Sequence, residues 1–324
     1  MKNKKDPKIS VVMLNHNGLK YLKKTIHPIL KLDYSNYEFI IVDNGSTDGS
    51  TAFIKKFKKI KLIENKENLG YSKGKNIGVK NAKGKYILLL DNDILIKDKD
   101  VLNELSKKYK RSMGFIQILL LDINQKKTKH YGLYFSIYGV NSHQKSINIK
   151  NILKQSKNLI KIPSPTGGCM FFNKNNWNKI GGFDESQKFN IDDIDIGPRA
   201  FNLGYKNFLY TKKYFIHLGV KNAKTNKIYA KRFNLIFSGH GRSMIKNYNI
   251  KNLLLRFPVF FLFQLSKAIK YSFKRKTFAV FTSFIKSIKL FLKNLPDTLK
   301  QRKKIQSERK IKEDLFLKIK TPRF

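Results

Sequence analysis

Short apolar runs alternate with polar, glycine-punctuated stretches of helical length over the N-terminal part of the chain. This alternation is typical of an α/β sheet in which helices connect parallel strands. We predict strands at 9–14, 38–42, 60–63, 86–90 and 114–119, a helix at 101–111 and a later strand at 208–211.

Polar residues come directly after three of these strands, at 15–18, 43–48 and 91–93. Ligands of an open parallel sheet bind beyond the carboxyl ends of its strands, at one edge. We therefore expect the three polar segments to meet in one crevice, although they are far apart in the chain.

Two carboxylates lie at one of these strand ends, in the segment Asp91-Asn92-Asp93. In that position they can bind a hard divalent cation that also holds a diphosphate. A solvated turn is the alternative interpretation, because two acids at this spacing are common by chance. The apolar run at 86–90 that precedes them favours the metal site.

The polar segment 43–50 reads DNGSTDGS and holds two acids, two glycines and three hydroxyl side chains. Such a loop can fold around a nucleoside, with Asp43 accepting hydrogen bonds from the base. A β-turn followed by a helix cap is the alternative, because Ser, Thr and Asp are the usual capping residues.

The composition limits the class of protein. With 324 residues and 41% hydrophobic content, the chain can bury one large α/β core and a smaller appended unit. A single cysteine, Cys169, excludes a disulfide framework and a zinc site built on several thiolates. The charged segment 1–8 has no apolar stretch of the signal-peptide kind, so we expect a cytoplasmic protein.

The net charge of +45 favours partners with negative charge, namely anionic lipid, nucleic acid or phosphorylated small molecules. Lysines are scattered through every segment, so this charge alone does not choose among them. After about residue 239 the chain changes to aromatic and aliphatic blocks broken by Lys and Arg. We therefore predict two regions, an α/β domain at 1–239 and a basic, aromatic-rich helical region at 240–324.

The C-terminal region contains two apolar segments. The run at 257–265 is too short to span a bilayer, which takes about 20 apolar residues. The segment 277–293 has helical spacing, with a basic stripe opposite an apolar one made of Phe278, Phe281, Phe284, Ile285, Ile288, Phe291 and Leu292. We expect this helix to lie on an anionic membrane. Packing of the stripe on the α/β domain is the alternative.

Several segments together resemble the ordered signature of family 2 glycosyltransferases with the GT-A fold. In the N-terminal part these are VVMLNHNG at 11–18, VDNGSTDGS at 42–50, NLG at 68–70 with NIG at 76–78, and LDND at 90–93. TGGCMFF at 166–172 and GGFDE at 181–185 resemble the family's acceptor-side segment, and DDIDIGPR at 192–199 resembles its acidic catalytic motif. The resemblance covers about 8–220 and implies an open, mostly parallel sheet flanked by helices, followed by a helical extension.

The resemblance implies a role for each matching residue. Those implied to bind the donor nucleotide are Asn15, Asn17, Asp43, Asn44, Gly45, Ser46, Asp48, Gly70, Asn76 and Asp91. Asp91 and Asp93 fall on the motif that binds Mn²⁺ or Mg²⁺ and the donor diphosphate. Gly167 and Gly168 match the small residues beside the donor sugar, where a side chain would collide with it.

Asp193 matches the base of the acidic motif. This chain has Asp192-Asp193 where the family usually has Glu-Asp, so Asp192 is the alternative base. Arg199 is assigned to the sugar and acceptor side. A structural pair between Asp195 and Arg199, four residues apart on a helix, is the other interpretation.

His217 follows the last strand-like run of the α/β domain. In many GT-A enzymes a histidine near this point completes the metal site, and neutral imidazole is a suitable ligand for Mn²⁺. A buried histidine bonded to the backbone is the alternative.

The resemblance implies an inverting transferase that moves a hexose or deoxyhexose from a nucleoside-diphosphate sugar. Direct displacement needs one carboxylate to take the proton of the acceptor hydroxyl and a cation to stabilise the departing diphosphate. Family relatives of this kind extend saccharides or polyprenyl-diphosphate-linked acceptors in cell-surface glycan synthesis. Together with the basic tail, this predicts a peripheral protein on the inner face of the cell membrane.

Functions of other classes explain only parts of the sequence. A sugar nucleotidyltransferase should have a Gly-rich, Arg-containing phosphate loop after its first strand, and NHNG at 15–18 is not such a loop. A non-catalytic nucleic-acid-binding protein would explain the charge, but the acidic motifs would repel phosphates, so we expect no nucleic-acid partner. An inactive relative would keep the motifs without turnover.

Overall fold

The computed structural model describes residues 6–128, 130–140, 147–154, 157–186, 192–219 and 226–322, which include every site residue predicted above. The strands are β1 (Ile9–Asn15), β2 (Tyr37–Asn44), β3 (Ile60–Asn65), β4 (Tyr86–Asp91), β5 (Ile94–Ile96), β6 (Met113–Leu121), β7 (Lys127–Thr128), β8 (Phe135–Ser136), β9 (Gly139–Val140), β10 (Ile147–Asn148), β11 (Leu159–Ile162), β12 (Cys169–Asn173) and β13 (Lys206–His217).

The helices are α1 (Leu19–Leu30), α2 (Ser50–Lys55), α3 (Tyr71–Asn81), α4 (Val101–Lys108), α5 (Ile149–Leu153), α6 (Lys174–Ile180), α7 (Asp192–Asn202), α8 (Asn226–Asn247), α9 (Ile250–Lys274), α10 (Ala279–Lys293) and α11 (Leu295–Ser307), with a 3₁₀ turn at Leu315–Lys318. The five predicted N-terminal strands are present, each one to three residues longer than predicted. The predicted helix at 101–111 ends at Lys108.

The central sheet has the strand order β11-β13-β6-β12-β4-β1-β2-β3, with β5 added on β13. The strands β3, β2, β1 and β4 are parallel neighbours, and so are β6 and β13. β12 runs antiparallel between β4 and β6, while β11 and β5 run antiparallel to β13. The predicted α/β sheet flanked by helices is confirmed; it is parallel from β3 to β4 and mixed in the other half.

Helices cover both faces of this sheet, as the alternation of side chains along a strand requires. Val11 and Met13 of β1 lie in one apolar cluster with Ile26 of α1. Val12, which points to the other face, lies in a second cluster with Val79 of α3.

Two glycines bring α3 unusually close to β1. A Cβ atom added at Gly78 would lie 2.5 Å from the side chain of Val12, and one added at Gly74 would lie 2.5 Å from that of Leu14. Real Cβ contacts are longer, so larger residues would push α3 off the sheet. The first turn of α3 is thereby held over the carboxyl end of β1.

The helices α8 to α11 form a further apolar cluster, in which Phe237, Phe260, Phe284 and Phe291 pack together. We call residues 226–322 the helical tail. The predicted boundary at 239/240 falls inside α8, so the helix that begins the tail starts before that boundary.

The apolar stripe that we expected to face a membrane packs largely inside the tail. Phe284 and Phe291 of α10 are 1% and 7% exposed, and both contact Phe237 of α8. For these two residues the membrane expectation was wrong; they pack on α8 of the tail, not on the α/β domain of the alternative. Helical periodicity identifies an apolar face but not the surface that covers it.

A cluster of buried charges joins the tail to the α/β domain. Lys246 of α8, with no exposed side-chain surface, places its Nζ 2.6 Å from Asp184 Oδ2 and 3.0 Å from Asp195 Oδ1. Arg242 Nη2 lies 3.2 Å from the same oxygen of Asp184, and Arg199 Nε lies 2.9 Å from Asp195 Oδ2. We call these five residues the ion cluster; it contains the predicted pair of Asp195 and Arg199.

The ion cluster keeps its carboxylates charged. Burial alone would raise the pKa of Asp184, but the charges and hydrogen bonds of Lys246 and Arg242 hold it well below its usual range. Burial also opposes ionisation of Asp195, and Lys246 and Arg199 lower its pKa. Each buried charge is therefore matched by an opposite one.

We predict that Lys246→Met lowers the free energy of unfolding by about 3–5 kcal/mol, because it leaves two buried carboxylates without their shared ammonium group. Urea denaturation measures this change. Lys300→Met, which removes an exposed lysine of α11, is the matched control and should change stability by less than about 0.5 kcal/mol. Equal unfolding midpoints for the two variants would contradict the prediction.

Candidate functional site

The carboxyl ends of β1, β2 and β4 lie side by side, as the polar strand ends predicted. The sheet register pairs Asn15 with Asp43 and Leu14 with Asp91. Asn15 Nδ2 donates to Asp43 Oδ1 at 2.8 Å, and Asn15 Oδ1 accepts from Asn92 Nδ2 at 2.7 Å. Asn15 therefore connects the 43–50 loop to the 91–93 motif.

Asp43 is 2% exposed and organises its own loop. Its carboxylate accepts hydrogen bonds from Asn15, from Ser46 Oγ at 2.6 Å and from Thr51 Oγ1 at 2.7 Å. These bonds hold the 43–50 loop in a fixed shape. Contact of Asp43 with a base stays a prediction.

Other residues of the loop also bond to neighbouring backbone. The backbone N–H of Asn17 donates to Ser46 Oγ at 2.9 Å, and Asn17 has a positive φ of 49°. Asp48 Oδ2 accepts from the N–H of Leu19, at the start of α1, at 2.9 Å. A Cβ added at Gly45 would lie 2.7 Å from the backbone of Glu67, so only glycine fits there.

Two asparagines of the predicted donor site connect neighbouring segments through side-chain hydrogen bonds. Asn44 Nδ2 donates to Asn68 Oδ1 at 2.9 Å and to the carbonyl of Gly70 at 3.1 Å, which fixes the turn before α3. Asn76 Nδ2 donates to the carbonyl of Phe183 at 2.9 Å and thereby ties α3 to the 181–185 segment. Neither side chain needs a ligand to complete these bonds.

Lys75 is the residue of this site that the sequence reasoning missed. Its side chain has no exposed surface, and its Nζ lies 2.6 Å from Asp91 Oδ1. The same Nζ donates to the carbonyl of Gly167 at 2.7 Å and bonds to the hydroxyl of Tyr71. The backbone N–H of Gly167 in turn donates to Asp193 Oδ2 at 3.2 Å. A continuous series of contacts therefore runs from Asp91 to Asp193.

The chain did contain a signal for Lys75. It lies between the two glycines, at 74 and 78, that bring α3 onto the sheet, so it occupies the buried face of that helix. A lysine on such a face requires a buried anion or carbonyl, because an unpaired ammonium group is costly there.

Tyr71 lies among the same groups. Burial, together with the charges of Asp91, Asp192 and Asp193, raises the pKa of Tyr71 well above its usual range and keeps the phenol protonated. A Cβ added at Gly167 would lie 2.7 Å from the Tyr71 hydroxyl oxygen. Asp91 at the end of β4 and the two acids at the start of α7 therefore all raise the pKa of the same side chain, Tyr71.

The glycine pair 167–168 lies against Asp91. The backbone N–H of Asp91 donates to the carbonyl of Gly168 at 3.0 Å, and a Cβ added at Gly168 would lie 3.2 Å from Asp91 Oδ2. Side chains at these two positions would crowd both Asp91 and Tyr71. The structure thus places the predicted small residues beside the 91–93 motif.

Asp192 and Asp193 begin α7 and differ in exposure. Asp192 is 1% exposed, whereas Asp193 is half-buried. Burial, and after it the negative charge of Asp192, raises the pKa of Asp193 to about 7. Asp193 can therefore exchange a proton near neutral pH, which is what a general base requires.

His217 bonds to Asp93 through a side-chain contact rather than to the backbone. Its Nε2 lies 3.2 Å from Asp93 Oδ2, and the ring of His130 packs against the His217 ring at 5.1 Å between centroids. Burial opposes protonation, but the hydrogen bond and charge of Asp93 raise the pKa of His217. Asp93 Oδ1 and His217 Nδ1 are buried without a hydrogen-bond partner.

These atoms fit a divalent cation that shares its ligands with a substrate. In the described part of the chain, no three acidic, histidine or cysteine side chains converge into a complete metal cage. Mg²⁺ is usually held by one or two carboxylates together with substrate phosphates, so a cage is not required. The unpartnered Asp93 Oδ1 is the atom that most needs a cation.

Arg199 uses its guanidinium group inside the fold. Besides Asp195, it donates to the carbonyl of Ile180 at 2.7 Å and to that of Gly182 at 2.6 Å. It also lines a cavity of about 800 Å³ between the 181–185 segment and α11. Contact of Arg199 with a sugar or acceptor stays a prediction.

The fold is similar to that of a solved glycosyltransferase. The mannosyltransferase PcManGT from Pyrobaculum calidifontis, a complex with GDP-Man and Mn²⁺, matches with a TM-score of 0.57 over 97% of this chain and 86% of that chain. The identity is 16%, so this likeness establishes the fold. The GT-A fold expected from the sequence is confirmed.

Curated relatives match about a third of the chain. Glycosyltransferase GlyG of Streptococcus pneumoniae is 38% identical over 94 residues, which are 28% of this chain and 31% of that protein. The putative teichuronic acid biosynthesis glycosyltransferase TuaG of Bacillus subtilis is 30% identical over 113 residues, 34% of this chain and 45% of that protein. The matched segments thus span less than half the length of either relative.

The model of glycosyl transferase family 2 matches residues 10–181, more than half of the chain. This stretch contains the crevice segments at 15–18, 43–50 and 91–93 and the glycine pair at 167–168. The chain belongs to glycosyl transferase family 2.

Proposed function

We propose that this protein is an inverting, metal-dependent glycosyltransferase that moves a hexose or deoxyhexose from a nucleoside-diphosphate donor to an acceptor hydroxyl. The observation that carries the proposal is the series of contacts from Asp91 through Lys75 and Gly167 to Asp193. These contacts connect Asp91, a strand-end carboxylate suited to bind a cation, with Asp193, a carboxylate suited to take a proton.

The donor would lie across the carboxyl ends of β1, β2 and β4. The 43–50 loop would contact the nucleoside, and Asp91, Asp93 and His217 would hold Mn²⁺ or Mg²⁺ beside the diphosphate. When bound, the ion would neutralise the negative charge that develops on the departing nucleoside diphosphate. The two glycines at 167 and 168 would leave room for the donor sugar.

Asp193 would act as the base. It is more exposed than Asp192, and its raised pKa suits proton transfer near neutral pH. Asp192 would tune Asp193 through its charge. Attack by the acceptor on the anomeric carbon, with one carboxylate as base and no covalent sugar–enzyme intermediate, gives inversion.

The acceptor and the place of action are inferred from a relative and from the charge of the chain. The name of TuaG assigns that relative to teichuronic acid biosynthesis, which supports a role in cell-surface polysaccharide synthesis here. We propose a saccharide or a polyprenyl-diphosphate-linked saccharide as the acceptor. A cytoplasmic protein that lies peripherally on the anionic inner face of the membrane could reach such an acceptor, and the charge of +45 favours that place.

A panel of UDP-, GDP- and dTDP-sugars tests the proposal, with binding measured by calorimetry in excess Mn²⁺. We expect one donor to bind in a metal-dependent way and Asp93→Ala to weaken this binding at least tenfold, because it removes the carboxylate with the unpartnered oxygen. Asp33→Ala, which removes an exposed acid, is the matched control. Equal donor affinity for both variants would refute the metal role of Asp93.

Asp193→Asn should keep donor affinity and lose transfer by about 10²–10⁴-fold, the usual contribution of a general base. Asp192→Asn should keep a larger share of the activity, because its carboxylate is buried and acts through Asp193. Initial rates of transfer, with the donor that binds in the calorimetric panel, measure the loss of activity in each variant. A reversed order of the two losses would move the base to Asp192.

The rate kcat/KM should rise with pH through about 7, because Asp193 accepts a proton only after it has lost its own. Asp192→Asn removes a like charge, so it should lower the pKa of Asp193 and move the rise to lower pH. A pH profile of the two proteins measures the shift. An unchanged midpoint in the variant would contradict the coupling of the two carboxylates.

A further inference from the structure

One face of α9 is uncovered in the described structure. Leu255, Leu262 and Ile269 recur every seven residues on this face, with Phe273 one turn further on. They are 62%, 62%, 42% and 79% exposed. We call this stripe the outer face of α9. Contiguous exposed apolar side chains of this kind mark interaction surfaces.

The inner face of α9 packs on protein. Phe260 and Ala268 are fully buried, and the ring of Phe260 stacks parallel to that of Phe237 of α8 at 5.6 Å. By length and composition, α9 is the one described helix that could cross a membrane. A helix held by protein along one face, with Lys267 and Lys270 in its second half, is better suited to lie in the plane of a membrane surface.

The charged residues of α9 and α10 have a single sign. Between Lys251 and Lys293 the chain contains ten lysines and arginines and no acid. Lys270, Lys274 and Lys286 are among those exposed. A second copy of the chain bound here would place these cations next to the same cations of the other copy, and the like charges would repel. An anionic surface would meet both the apolar stripe and the charge.

A basic cleft adjoins the first turn of α9. Its volume is about 480 Å³, and its lining residues are Asn249, Ile250, Leu299, Arg302, Lys303, Gln306, Arg309 and Lys312. Four of these are cations and none is an acid. Arg309 pairs with Asp314 and Arg302 donates to the carbonyl of Tyr248, which leaves Lys303 and Lys312 for a ligand. Cations beside the exposed side chains of Ile250 and Leu299 suit a phosphate headgroup that carries acyl chains.

We propose that the outer face of α9 is a membrane-docking surface, which lies among the acyl chains of an anionic bilayer while the surrounding lysines contact phosphate headgroups. The proposal deepens the proposed function and rests on its membrane location. It assigns the lipid contact to α9 instead of α10, because Phe284 and Phe291 of the α10 stripe are buried.

The double variant Leu262→Glu with Phe273→Glu tests this surface. Flotation with vesicles of phosphatidylglycerol and phosphatidylcholine should recover the unaltered protein, and vesicles of phosphatidylcholine alone should recover much less. The double variant should bind the anionic vesicles at least tenfold more weakly, because two apolar side chains that would be buried in lipid are replaced by anions. Point changes are preferable to deletion of 251–324, which would expose the apolar cluster of the tail.

Ile123→Glu is the matched control, because Ile123 is 59% exposed and lies after β6, outside the tail. It should leave flotation unchanged. Donor hydrolysis in Mn²⁺ should be equal for all three proteins, which separates docking from catalysis and reports folding. Flotation of the double variant at the level of the control would overturn the proposal. So would a change from dimer to monomer in that variant by sedimentation, since the outer face would then cover a second copy.

Discussion

An ammonium group buried away from water is stable only where oxygen atoms surround it, and this constraint shapes the protein at two places. Lys75 and Lys246 have no exposed side-chain surface. Lys75 holds Asp91 and the carbonyl of Gly167 at one point, so it joins the two sides of the candidate active site. Lys246 holds Asp184 and Asp195 at another point, so it joins the helical tail to that site.

The two lysines act on the same helix, α7. At its first turn, Asp193 accepts a hydrogen bond from Gly167, which Lys75 positions. Two residues later, Asp195 is bonded by Lys246 and by Asn247 Nδ2 at 2.8 Å. The orientation of the proposed base therefore depends on contacts from the α/β domain and from α8 together. For this reason the tail contributes to the geometry of the site, in addition to any contact it makes with a membrane.

The sequence predicted the fold and the strand-end positions well, because these follow from periodicity and from one general property of parallel sheets. Lys75 was overlooked: its place between two glycines of α3 indicates a buried lysine, but its partner Gly167 is distant in the chain. The amides of Asn44 and Asn76 donate to the carbonyls of Gly70 and Phe183, and their contact with a donor stays a prediction. An asparagine has the same appearance in a motif whether it binds a ligand or a loop. The membrane prediction for Phe284 and Phe291 of α10 was wrong for a similar reason, because an apolar helical pattern is equally suited to contact with lipid and with protein.

Four acids of this chain are concentrated at the candidate site, whereas its positive charge is spread over the whole chain. Four carboxylates, Asp91, Asp93, Asp192 and Asp193, belong to the candidate site, where alone they would repel a diphosphate. The net charge of +45 already includes these acids, so the chain as a whole attracts an approaching anion, and salt weakens attraction and repulsion alike beyond about 8 Å. Attraction of the proposed nucleoside-diphosphate donor and attraction of an anionic bilayer would thus have one physical source. Under the two proposals, discrimination would begin only at contact, where the carboxylates would accept an anion with a cation bound to it and the outer face of α9 would accept one with acyl chains.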